Sequence, residues 1–167
     1  MVANQIDSSI CSLSDAPTDI SNLARHWHGL CGDRKFPARG DIDPLNLRDY
    51  IGSLCIHEVR ADPLDYVYRL FGSFMTEYLG RDLTGKSILE LPPVALGRHL
   101  FRQIEDAINT AAPLYFRTLV AYDRPARKSG SHRIILPLST DGVTIDSILT
   151  YARVDHSARD FWSKIPD

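Results

Sequence analysis

Residues 80–87 read Gly-Arg-Asp-Leu-Thr-Gly-Lys-Ser. They satisfy the glycine-rich pattern with which backbone N–H groups and a lysine cradle nucleotide phosphates. That chemistry needs a buried strand feeding the loop and a long helix opening at the Lys-Ser pair. Neither is encoded. Phe74, Met75, Tyr78 and Leu79 precede the loop at helical rather than alternating spacing. Only Ile88, Leu89, Glu90 and Leu91 separate Ser87 from Pro92 and Pro93, and proline breaks a helix interior. No later apolar strand ends in an Asp placed to hold magnesium. The stretch is expected to be turn and loop, not a phosphate cradle.

Other reactive side chains fall short in different ways. His26, His28 and Cys31 share one segment, but helical residues two apart point to different sides. His28 with Cys31 supplies two ligands, which do not make a metal site. Cys11, Cys31 and Cys55 are odd in number and widely spaced, against a disulfide framework, and read as small apolar residues in a reducing compartment. His57 with Asp146 is the one pair that would suit proton transfer in a small cone-shaped isomerase or dehydratase, if folding brought the two together. Arg124, Arg127, Lys128 and Arg133 form a basic stretch that reads as a solvated hairpin connection. Arg39 with Asp41 or Asp43, and Arg81 with Asp82, read as pairs that fix loops. No catalytic residue and no metal ligand is assigned.

These residues must be held by one domain. The chain has 167 residues, 44% hydrophobic and 24% charged, enough for a core of ordinary composition. A net charge of −2 argues against nucleic acid and acidic lipid as partners. No membrane-length apolar run and no secretory signal is present, so a cytoplasmic location is expected.

Residues 1–17 lack periodicity and read as a flexible tail. Residues 18–52 read as a helical segment and connector, with Leu23, Trp27 and Leu30 at i, i+4 and i+7. Strands are expected at 53–60 and 65–71, the latter with Tyr66, Tyr68 and Leu70 on one face. Short helical pieces come next, then the best helix, 94–109, with Gly97, Leu100, Phe101, Ile104, Ala107 and Ile108 along one side. Strands at 114–122, 132–138 and 143–154 complete an α+β order, and Asp141-Gly142 marks the last hairpin. Residues 155–167 read as a C-terminal tail.

This ordered set resembles a PAS domain, and more narrowly the stand-alone bacterial PAS-type proteins with an N-terminal Trp helix. The resemblance runs through Trp27 and Leu30, Pro37-Ala38-Arg39, Asp41-Ile42-Asp43-Pro44, residues 65–72, residues 80–85, Leu136-Pro137-Leu138-Ser139 and Asp141-Gly142. It implies a core at 53–154. The implied core is a five-stranded antiparallel sheet in order 2-1-5-4-3, with helices on one face and an extra N-terminal helix.

The resemblance also implies a non-catalytic signalling module that acts in trans on a histidine kinase or response regulator. A small molecule held in the core is a further expectation. Pocket candidates are His57, Tyr66, Tyr68, Tyr78, Phe101, Phe116, Ser147 and Tyr151, with Thr150 as another polar handle. Leu23, Trp27 and Leu30 are the expected dimer or partner interface of a homodimer. Haem is disfavoured because His99 falls on the polar side of the long helix. Flavin photochemistry is disfavoured because no Cys stands where the light-sensing branch has one.

Overall fold

The computed structural model describes residues 3–122 and 128–154. Six strands form one antiparallel sheet: β1 (Ala3–Cys11), β2 (Leu54–Ala61), β3 (Leu64–Phe71), β4 (Leu114–Tyr122), β5 (Lys128–Leu138) and β6 (Ser147–Val154). The spatial order is β1-β4-β5-β6-β2-β3. Without β1, this is the expected 2-1-5-4-3 arrangement.

The sixth strand is a correction to the flexible tail expected at residues 1–17. β1 pairs along the free side of β4, with Ile6 opposite Val120 and Ser8 opposite Thr118. Its polar Gln-Ile-Asp-Ser-Ser text hides a strand because backbone pairing with β4, not an apolar face, is its main contact. The opposite edge, β3, is covered by the Gly80–Ser87 stretch. Tyr68 donates to the Lys86 carbonyl (3.0 Å) and accepts from Gly85 N–H (2.7 Å). The stretch is thus an edge cover, a common way to blunt an exposed strand. The chain then makes a single 3-10 turn at Ile88–Glu90, not a long helix.

Three helices flank the sheet: α1 (Thr18–Cys31), α2 (Ser73–Leu79) and α3 (Val94–Thr110). The strand period of two divides the core. Ile134, Leu136, Leu138, Leu149 and Tyr151 face α1, where Ile20, Leu23, Ala24 and Trp27 are buried. Ile135, Ile148, Phe116, Tyr66 and Tyr68 face the other way, under Leu100, Ile104 and Ala107 of α3. The N-terminal helix therefore closes the face opposite α3. Trp27 completes that face by donating Nε1–H to the Pro137 carbonyl at 2.7 Å.

Two local features set side-chain direction. The β2–β3 ladder slips after Ile56 pairs with Leu70, so His57 meets Tyr68 and Arg69 is the extra residue. Such a bulge inverts the alternation beyond it. Phe71, not the expected Leu70, joins Tyr66 and Tyr68 on the α3 face. Gly97 lets α3 approach the 3-10 turn before it: an added Cβ would lie 2.7 Å from the Ile88 carbonyl oxygen.

Candidate functional site

The α3 face carries a buried polar chain in the middle of its apolar core. Arg133 on β5 is in phase with Ile135, so alternation turns it inward, and only 7% of it is exposed. This corrects its placement in a solvated basic hairpin. β5 begins at Lys128, so Arg133 sits mid-strand; Arg124 and Arg127 lie outside the described residues. Arg133 Nη1 donates to Gln103 Oε1 at 2.9 Å. Gln103 Nε2 reaches Ser8 Oγ (2.9 Å) and Thr118 Oγ1 (3.2 Å). Its nitrogen also lies 3.3 Å from His99 Nε2. The chain links β1, α3, β4 and β5.

His99 is therefore half-buried and turned toward this network, a correction to its expected polar-side position. Burial, then Arg133 and Arg102, pull its basicity down. Arg133 itself has its pKa lowered by burial. Among the described residues no carboxylate pairs with it. A guanidinium remains charged at any ordinary pH, so a formal positive charge stands inside the domain.

A cleft opens beside this charge. Its walls are Phe71, Met75, Tyr78 and Leu79 on the α2 side, Leu91, Pro92 and Leu96 before and in α3, and Val120, Ser131, Arg133 and Val154 of the sheet. The enclosed space is small, about 50 Å³. A larger hollow of about 360 Å³ runs along β1, β4 and β5, but it is an open trough walled by strand residues such as Asp7, Arg117 and Leu119. A third, about 140 Å³, lies between Arg39, Ile42, Pro44 and Leu47 and the outer sheet residues Leu54, Leu70 and Leu149. Of the three, the small cleft alone combines a helical roof with a buried charge.

The expected pocket residues divide. Tyr78 lines the cleft. His57, Tyr66, Tyr68 and Phe116 lie in the packed core on the same face. Phe101 is half-buried and packs on Tyr66, ring centroids 4.7 Å apart. Tyr151 belongs to the other face, where its hydroxyl donates to Asp19 Oδ2 at 2.8 Å, and Ser147 is in phase with it. These two are not near the cleft, because the β6 alternation places them under α1. Leu23 and Trp27 are 1% and 4% exposed in the chain's own core, so they are not a surface for a partner; Leu30 is half-buried.

His57 is fully buried, with Nε2 3.1 Å from Thr150 Oγ1 and its ring 4.6 Å from that of Tyr68. Burial, aided by Arg133, pushes its pKa down to about 3, so it is neutral. Asp146 instead accepts from Thr140 N–H at 2.8 Å, and no hydrogen bond or ion pair joins it to His57 among the described residues. The Cys55 thiol is pushed up to about 11 by burial and is inert as a nucleophile. The loop acids act structurally. Asp41 accepts from Ala38 N–H and pairs with Arg34, both at 2.7 Å, rather than with Arg39. Asp82 accepts from Thr84 N–H at 2.8 Å.

Sequence reasoning missed Arg133 and Gln103. The signal was present for Arg133, two residues before Ile135 on a strand. Gln103 lies three residues after Leu100 and four before Ala107, inside the buried stripe of α3.

An antiparallel sheet in this order, with short helices over a cleft on one face, defines a PAS-like α+β domain. A family model described as PAS domain matches residues 16–152, and the chain belongs to the PAS domain family. No curated protein matches it significantly. Among solved structures, it is similar to a sensory box sensor histidine kinase from Vibrio cholerae. That match has 22% identity over 66% of this chain and 87% of that one, with a TM-score of 0.46. It is also similar to the Vibrio cholera VqmA–ligand–DNA complex, with 14% identity over 66% of this chain and 49% of that one, TM-score 0.50. An RNA-binding light-oxygen-voltage receptor matches 93% of this chain and 41% of its own, with 13% identity and a TM-score of 0.51. At these identities the likeness is one of fold. With nucleic acid in the names of two neighbours, the expectation of no nucleic-acid partner is not carried forward. Among the described residues no helix is long and apolar enough to cross a membrane.

Proposed function

We propose that this chain is a non-catalytic signalling module that works in the cytoplasm as a homodimer. It acts in trans on a regulatory protein such as a histidine kinase or response regulator, and a small molecule in the cleft tunes that contact. The observation that carries the reading is the cleft itself: a roof from α2 and the start of α3, mainly apolar walls, and polar groups from Arg133, Ser131 and Tyr78, the lining chemistry of a ligand site around a space of about 50 Å³. The enzyme reading has no support in the geometry, since His57 and Asp146 have separate partners. The dimer contact in this reading lies outside Leu23 and Trp27, which the core consumes.

The test is a set of amide correlation spectra of the labelled full chain against a panel of small metabolites. Shifts clustered on Met75, Leu79, Leu96 and Arg133 support the ligand reading. A panel that leaves those amides unmoved refutes it. Autophosphorylation of a candidate kinase, measured with and without the chain, tests the action in trans, and light scattering tests the dimer.

A further inference from the structure

Arg133 is a costly residue for its position. Removing a cation from water costs several kcal/mol even after relaxation, and proteins normally offset this with a carboxylate. Here the described surroundings supply one neutral acceptor, Gln103 Oε1, to a group with five N–H donors. Neither Nε nor Nη2 has a hydrogen-bond partner among the described residues, and the side chain lines the cleft. The cleft beside it is mainly apolar: Met75, Leu79, Leu91, Leu96 and Val120 are among its lining residues, and Ser131 and Tyr78 add hydroxyl groups. A buried fork of donors in the wall of a mainly apolar cleft is complementary to a planar anion on an apolar tail.

We propose that the cleft binds a small amphipathic monocarboxylate, its head on Arg133 and its tail between α2 and the start of α3. This rests on the ligand reading above and names the chemical class of the ligand. The enclosed volume of about 50 Å³ takes roughly four water-sized groups, which matches a carboxylate and its first carbon. The rest of a short chain lies along the mouth, against Met75, Leu79 and Leu96. Among the described residues Arg133 is the one cation in the lining, which suits one negative charge rather than two.

The experiment compares butyrate, hexanoate and the uncharged hexanamide by amide-shift titration of the full chain, in the wild type and in R133Q and R133K. Hexanoate is expected to bind at least tenfold more tightly than hexanamide. Affinity should rise roughly fourfold per added methylene while the chain still contacts the cleft walls. R133Q should abolish the preference for the anion, and R133K should keep part of it. Equal affinity for hexanoate and hexanamide overturns the proposal, and so does an unchanged preference in folded R133Q. The wild-type comparison stands by itself if a variant fails to fold. Cleft amides that respond to uncharged metabolites but not to carboxylates would sink the anion proposal and leave the ligand reading intact. Cleft amides that respond to nothing would sink both.

Discussion

His57 gives the fold a measurable pH dependence of known sign. In the unfolded chain an exposed histidine titrates near 6.5; in the folded chain burial holds His57 down to about 3. Between those values the unfolded state binds a proton that the folded state refuses, so stability falls as pH falls. At pH 4.5, two units below the unfolded value, the loss is about 2.7 kcal/mol, at about 1.36 kcal/mol per unit. That is a large part of a typical domain's total of roughly 5–15 kcal/mol. His99, also lowered, adds in the same direction. The depressed carboxylates of Asp41, Asp82 and Glu58 contribute stability that is lost at still lower pH. The contributions of other groups cancel in a comparison with His57→Gln, which keeps an amide for Thr150 and carries no proton. Urea unfolding followed by circular dichroism, at half-unit steps from pH 7.5 to 4.5, gives the slope for each protein. Below pH 6 the wild-type slope should exceed that of H57Q by about 1.4 kcal/mol per unit. Parallel slopes would mean that His57 is not held neutral in the core, and the packing assigned to it would be wrong.

Further outcomes come from the packing. Gly97→Ala drives a methyl against the Ile88 carbonyl and should cost about 1–3 kcal/mol, read as a lower thermal midpoint. Trp27→Phe leaves the Pro137 carbonyl without its donor and should cost about 1–3 kcal/mol in urea unfolding. Arg133→Met removes a buried charge but orphans Gln103 Oε1, a loss of about 1–3 kcal/mol against a gain of about 1–4 kcal/mol. The net change should therefore lie between a loss of about 2 and a gain of about 3 kcal/mol, and a fall of more than about 3 kcal/mol would make the guanidinium structural rather than a ligand anchor.

Apolar periodicity carried most of the fold. The stripe of α3 and the five core strands were legible because burial writes itself into spacing, and Gly80–Ser87 was legible as a loop but not as the cover of the β3 edge. β1 was not, since a strand held chiefly by backbone pairing to a neighbour leaves little trace in its own side chains. The face of Phe71 was missed for a different reason. One extra residue, Arg69, shifts every later side chain, and nothing in Tyr66-Val67-Tyr68-Arg69-Leu70 announces it. The cleft was hardest. Aromatic residues drew attention as pocket candidates, yet most fill the core, while the polar anchor lay in a stretch that reads as a charged hairpin.

The burial of α1 has a consequence for how such a module reaches a partner. Leu23 and Trp27 form a stripe that, taken alone, suits an interface. Here they are covered by the chain's own sheet, anchored by Trp27 to Pro137 and by Asp19 to Tyr151. Docking through those residues would require α1 to leave the sheet and expose the Ile134, Leu136 and Leu149 surface, a loss of several large side chains' burial at about 1.5–3 kcal/mol each. The Gly80–Ser87 stretch occupies one sheet edge, whereas among the described residues no strand pairs with the outer side of β1. Contact at that open edge would leave α1 seated. It would also touch the strand whose Ser8 belongs to the hydrogen-bonded chain ending at Arg133.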